Sequence, residues 1–146
     1  MKNDIIKIGV FDGQGGGLGK SIVEKLKKNF GQDIEVFAVG TNSIATSNML
    51  KAGADFGSTG ENSFKVISKR VDMITGPIGL LIQDSLLGEI TPKMSEYIET
   101  SKAKKILFPI SRCNVKILCS EIDSITTMLN LLIHEVNMLL EEKNEK

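Results

Sequence analysis

Apolar residues follow two rhythms along this chain. Residues 5–11, 34–39, 71–75 and 106–110 are apolar runs of strand length, and 34–39 is unbroken apart from Glu35, as in strands buried on both faces of a parallel sheet. Between these runs the spacing becomes helical. Leu18, Ile22, Leu26 and Phe30 repeat every fourth position and stop at Gly31. A second helix is predicted over 44–51, ending at Gly53, while 54–57 is too short to define a strand. Ser58-Thr59-Gly60-Glu61 has capping-box spacing and predicts a helix through Val66 and Ile67 to Arg70. The run 71–75 is closed by Gly76-Pro77-Ile78-Gly79 and followed by a helical pattern over 80–87. Gly88 interrupts that pattern, and Thr91-Pro92 restarts a helix with a cap and a first-turn proline. Pro109 marks where the strand at 106–110 stops pairing or bulges. Residues 115–119 predict a last strand, and Ser120-Glu121-Ile122-Asp123 a second capping box opening a helix to about Glu142.

Alternating strands and helices joined by short loops predict a single α/β domain over 1–146. The expected fold is three-layered and Rossmann-like, with a mainly parallel sheet and helices on both faces. Such sheets bind ligands beyond the carboxyl ends of their strands. The loops that gather there are 12–20, Gly40-Thr41-Asn42-Ser43, Gly76-Pro77-Ile78-Gly79 and Ser111-Arg112-Cys113-Asn114. Each alone is ordinary turn chemistry, and their meeting on one rim is the stronger pointer.

Among these loops, Asp12-Gly13-Gln14-Gly15-Gly16-Gly17-Leu18-Gly19-Lys20 joins the first strand to the first helix. Glycines let the backbone approach an anion closely, and the N–H groups and positive dipole end of the following helix then face it. The ligand class implied is phosphate-bearing. The candidate binding residues are Asp12, Gly13, Gln14, Gly15, Gly16, Gly17, Leu18, Gly19 and Lys20, joined by Thr41, Asn42, Gly76, Pro77 and Ile78 from the neighbouring loops.

The loop fits one phosphate-binding pattern and misses others by one or two positions. Leu18 stands where G-x-G-x-x-G needs its third glycine. Gly13, Gly17 and Gly19 fit G-x-x-x-G-x-G and resemble the cofactor loop of short-chain dehydrogenases. Their Tyr-x-x-x-Lys pair is missing, since Tyr97, the only tyrosine, has Ser101 at that distance and Lys102 one residue late. Gly19-Lys20-Ser21 ends a near miss of the P-loop, with Gln14 at its first glycine. The loop also resembles that of nitrogenase-iron-protein-like ATPases, but Gly15 occupies the place of their signature lysine. An NTPase further needs an acid ending a neighbouring strand, and Asp12 in the glycine loop is the only acid at the end of a clear strand. A glycine loop that merely packs helix against strand is the third reading.

Four runs together resemble a known family. They are Asp12-Gly13-Gln14-Gly15-Gly16-Gly17, Gly40-Thr41-Asn42-Ser43-Ile44-Ala45-Thr46-Ser47, Gly76-Pro77-Ile78-Gly79 and Gly88-Glu89-Ile90-Thr91-Pro92-Lys93. They are similar to a family of short bacterial proteins known as a domain of unknown function, and the likeness spans nearly the whole chain. The resemblance implies a stand-alone Rossmann-like unit and supplies no catalytic residues.

Composition narrows the partners. Eighteen basic and eighteen acidic residues cancel without a basic cluster, which argues against a nucleic-acid surface. The start of the chain has no signal-peptide pattern and no apolar run reaches membrane-spanning length, so the expected compartment is the cytoplasm. Cys113 and Cys119 would lie too far apart on a continuous strand to form a disulfide, and no Cys or His pair has metal-ligand spacing. Cys113 beside Arg112 is a candidate activated thiol, though a buried spectator thiol is the simpler reading, as is a surface role for Arg112. His134, near Asn130 and Asn137, suits a solvated or interface position.

In the last helix Ile125, Met128, Leu129, Leu132, Val136, Leu139 and Leu140 form a core-facing stripe, while Leu131, Ile133 and Met138 add apolar surface outside it. Either a second copy covers that surface in a homodimer, or the helix lies deep in its own domain, under residues 80–87. The function expected is a binding or regulatory module for a nucleotide, with a dinucleotide slightly favoured. The alternatives are a P-loop-like NTP-binding protein and an enzyme completed by a partner subunit. Because Val39-Gly40-Thr41-Asn42 is neutral where NAD-preferring folds carry an acid, NADP is expected to bind at least as well as NAD.

Overall fold

In the computed structural model, which describes residues 5–110, 115–118 and 124–145, the apolar runs pair into one sheet. Its strands are β1 (Ile6–Asp12), β2 (Ile34–Gly40), β3 (Phe56–Thr59), β4 (Met73–Pro77) and β5 (Lys104–Phe108). Their spatial order is β3-β2-β1-β4-β5 and every pairing is parallel. Val10 in the central strand pairs with Ala38 of β2 on one side and Thr75 of β4 on the other. The chain winds outward from β1 in one direction through β2 and β3, then in the other through β4 and β5. That reversal opens a crevice between the carboxyl ends of β1 and β4.

Among the described residues five α-helices cover the sheet: α1 (Gly17–Phe30), α2 (Ser43–Lys51), α3 (Glu61–Ile67), α4 (Pro92–Glu99) and α5 (Ile125–Asn144). Strand alternation sorts the core into two layers. Ile6, Ile8 and Val10 pack with Ile22, Val23 and Leu26 of α1 and Leu132 and Val136 of α5. Phe11, Val39 and Ile74 point to the other face, onto Phe64 and Ile67 of α3 and Met94 and Ile98 of α4. Each large apolar side chain fully buried this way stabilises the fold by about 1.5–3 kcal/mol. The three-layer α/β architecture expected of the sequence, with a mainly parallel sheet, is therefore present, and all of the described pairings are parallel.

Several local expectations are corrected. Residues 58–59 belong to β3, so the capping box at 58–61 does not form. Instead α3 starts after Gly60, with no side-chain cap. Pairing to Phe37, Ala38, Val39 and Gly40 holds β3 in place, a tertiary contact that overrides the local cap signal. Gly76 and Pro77 lie inside β4 rather than in a closing loop. At φ 151°, a Cβ on Gly76 would strike the Phe11 carbonyl oxygen of β1, so glycine is needed for the strands to pair there. Only Ile78–Leu81 is helical beyond it, as one 3-10 turn. Asp84, Leu86 and Leu87 then adopt left-handed conformations that end any helix.

Thr91 and Pro92 do start α4, with the Thr91 hydroxyl accepting from the Met94 N–H at 3.1 Å. Pro109 follows the last residue of β5, so its pairing does stop there. Residues 115–118 carry no strand, and Cys119 and the capping box at 120–123 fall outside the described residues. The cap of α5 is Ser124, which accepts from the Thr127 N–H at 3.1 Å. That helix packs against α1 and β5, not beneath residues 80–87, which belong to the opposite face. No helix among the described residues is long and apolar enough to cross a membrane.

Candidate functional site

The loop between β1 and α1 is held open by a carboxylate. Asp12, the last residue of β1 and buried, accepts from the Gly13 N–H through Oδ1 at 2.8 Å and from the Gly19 N–H through Oδ2 at 2.7 Å. A negative group against the first turns of α1 also complements the helix dipole. The turn closes with the Gly16 N–H donating to the Gly13 carbonyl at 2.9 Å. Left-handed backbone at Gln14 (φ 51°) and Gly16 (φ 71°) lifts residues 13–16 above the end of the strand.

A second carboxylate reaches the loop from far along the chain. Glu89 Oε1 accepts from the Gln14 N–H at 2.8 Å, the Thr41 hydroxyl at 2.5 Å and Asn42 Nδ2 at 3.0 Å. Burial works to raise its pKa. The hydrogen bonds from Thr41, Gln14 and Asn42 outweigh burial and hold the carboxyl below its ordinary value. Glu89 is presented by residues 84–90, a turn closed by the Asp84 N–H to Ile90 carbonyl bond at 2.7 Å and the Ile90 N–H to Ser85 carbonyl bond at 3.2 Å. Left-handed Asp84, Leu86 and Leu87 store strain in this turn, on the order of 1 kcal/mol each. The turn covers Gly13 so closely that a Cβ there would meet Thr41 Oγ1 at 2.7 Å and both Glu89 Oε1 and Leu86 Cδ1 at 3.0 Å.

On the other side of Leu86 lies a cleft of about 340 Å³, lined by residues 12–18 with Pro77, Leu86 and Ile110. It sits at the reversal point between β1 and β4, where ligands of open α/β sheets bind. Among the described residues the N–H groups of Gly15, Gly17 and Leu18 have no partner. The glycines of the loop divide sharply by surroundings. A Cβ on Gly16 would meet the Ala45 Cα at 2.8 Å, and one on Gly19 would meet Met49 Sδ at 2.5 Å, so these two let α1 pack closely against α2. Among the described residues Gly15 and Gly17 have nothing within 4 Å of that position, and neither has left-handed backbone. Neither packing nor conformation accounts for glycine at 15 and 17. The larger depression, about 500 Å³ beside Tyr97 and Lys102, is at the opposite end of the sheet, below β4 and β5.

The sequence-predicted residues thus separate into three groups. Asp12, Gly13, Gln14, Gly15, Gly16, Gly17, Leu18 and Pro77 meet at the cleft. Thr41 and Asn42 hold Glu89, and Asn42 also caps α2 by accepting from the Ala45 N–H at 2.9 Å. Gly19, Gly76 and Ile78 do not line the cleft, and Lys20 is exposed on the first turn of α1. Ser21 donates to the Gly17 carbonyl at 3.2 Å. Ser111, Arg112, Cys113 and Asn114 lie outside the described residues. Glu89 and Leu86 were not among the predicted site residues. Glu89 stands in the run Gly88-Glu89-Ile90-Thr91-Pro92-Lys93 that carries the family resemblance, whereas Leu86 has only its nearness to Gly88, and neither signal says what the residue touches.

His134 is exposed, as expected, and among the described residues no group of three His, Cys, Asp or Glu could hold a metal. On α5, Leu131 and Met138 lie outside the packed face, whereas Ile133 packs against the core, contrary to its predicted place in a second apolar face.

With this geometry the chain belongs to the family described as Domain of unknown function (DUF3842), whose model matches residues 7–141. A search of curated proteins gives no significant match. Among solved structures it is similar to a dodecameric FMN-dependent UbiX-like decarboxylase from Escherichia coli O157:H7. That likeness has 13% sequence identity and a TM-score of 0.48, covering 93% of this chain and 94% of the other.

Proposed function

We propose that this chain binds a phosphate-bearing nucleotide, a dinucleotide being favoured over smaller ligands, and acts as a binding or regulatory module in the cytoplasm. The observation that carries the reading is the pair Gly15 and Gly17. Both line the cleft, and among the described residues both have N–H groups without a partner and neither meets anything that requires glycine for the fold. Absent side chains at these two positions let a phosphate approach the N–H groups of Gly15, Gly17 and Leu18 at the positive end of α1. Both nearby carboxylates are already bonded to N–H groups, and Lys20 adds a positive charge one turn into the helix.

A P-loop role is less well supported. The Gly19 N–H is taken by Asp12, and the Ser21 hydroxyl bonds back to its own helix. Dehydrogenase chemistry through Tyr97 is equally unsupported, since that residue lines the depression at the far end of the sheet.

Calorimetry against NAD, NADP, ATP and GTP tests the proposal. Binding of at least one is expected, weakened in Gly17→Val with folding intact, because the added side chain enters open space. Absence of heat with all four at millimolar ligand would overturn it. The proposal extends to a homodimer through α5, where Leu131 borders an apolar groove of about 280 Å³ between that helix and β5.

A further inference from the structure

After β2 the chain continues Thr41-Asn42, with no acid of its own at the place where NAD-binding folds carry one. The fold delivers an acid there from elsewhere. Glu89 lies across the carboxyl ends of β1 and β2, bonded at once to the glycine loop through the Gln14 N–H and to Thr41 and Asn42. All three bonds fall on Oε1. Among the described residues Oε2 has no partner, and the side chain is only half-buried. One oxygen is therefore fixed by the protein and the other remains available as an acceptor. Gln14, which donates to Glu89, is the neighbour of Gly15, which lines the phosphate cleft and whose N–H has no partner among the described residues.

We infer that Glu89 is the specificity-determining residue of the nucleotide site, accepting a hydrogen bond from a free ribose 2′-hydroxyl and rejecting a ribose that carries a 2′-phosphate. The inference rests on the proposed phosphate binding at Gly15, Gly17 and Leu18. Thr41, Asn42 and the Gln14 N–H act as positioning groups, since they aim the carboxylate without reaching the ligand themselves. A hydroxyl offers the donor that Oε2 lacks, whereas a phosphate brings negative charge against a carboxylate that three donors keep ionised. The preference is the reverse of the one that neutral Val39-Gly40-Thr41-Asn42 suggests when only neighbours in sequence are counted.

The test is calorimetry with two matched pairs: NAD against NADP, and adenosine 5′-phosphate against adenosine 2′,5′-bisphosphate. Wild type is expected to bind the member without the 2′-phosphate at least about tenfold more tightly. Glu89→Gln, which keeps an acceptor at Oε1 but loses the charge, should bring each pair within about threefold. Equal affinities within both pairs in wild type, or a ratio unchanged in Glu89→Gln, would overturn the inference while leaving phosphate binding intact. Tighter binding of both members by one common factor in Glu89→Gln would also overturn it, because the carboxylate would then only be shielding the loop. No binding of any of the four to wild type removes the phosphate reading and this inference together. The wild-type ratio needs no variant, so it decides the matter even if Glu89→Gln folds poorly.

Discussion

The Glu89 carboxylate accepts the Thr41 hydroxyl at 2.5 Å across 48 residues of chain, tying the β4–α4 connection to the end of β2. The bond gives stability a predictable pH dependence. Glu89 has a lowered pKa in the folded state, so its contribution is fully present above the unfolded carboxyl pKa of about 4.5 and is lost as pH falls through the lower folded value. Thermal melts of wild type and Glu89→Gln are expected to differ at neutral pH and to converge as pH falls through the lowered folded value. A constant difference between pH 3 and pH 7, which brackets the carboxylate range, would show that the charge is not what matters.

Asp12 supports the glycine loop from below. Its replacement by Ala leaves the Gly13 and Gly19 N–H groups without their carboxylate, at a predicted cost of about 3 kcal/mol. Asp12→Asn retains an acceptor and should cost less. Urea unfolding measures both, and an Ala variant as stable as wild type would mean that water replaces the side chain.

The loop glycines should respond oppositely to alanine. Gly16→Ala strains a left-handed residue and presses a methyl group onto Ala45, so a loss of about 2 kcal/mol is expected. Gly17→Ala, at the first position of α1 with open space around it, should leave stability unchanged or raise it by about 0.5 kcal/mol. It should nevertheless weaken nucleotide binding. Equal destabilisation by the two changes would make the whole loop a packing device.

Self-association through α5 is expected to depend on Leu131, which is 47% exposed, and on Met138, at 39%. Light scattering at tens of micromolar should give a dimer for wild type and a folded monomer for Leu131→Glu combined with Met138→Glu. Ile133→Glu should instead unfold the chain, because Ile133 packs against the core. A monomeric wild type would end the dimer proposal.

Local pattern alone determined the alternation of strands and helices, the parallel α/β class and the strand–glycine loop–helix at 12–20. Periods of two and of about 3.6 residues are properties of neighbours in sequence, and a loop glycine has a meaning wherever the chain then goes. The same local signals failed at 58–61 and 80–87. Pairing with β2 drew one segment into β3, and left-handed residues folded the other into the turn over Gly13. Only the tertiary structure decided which glycines serve packing, since Gly16 and Gly19 meet α2 while Gly15 and Gly17 meet nothing among the described residues. It alone brought Glu89 to Gln14, 75 residues away. A carboxylate's position in the chain carries no information about a contact at that separation. The way β4 and the 84–90 turn pack over β1 sets it.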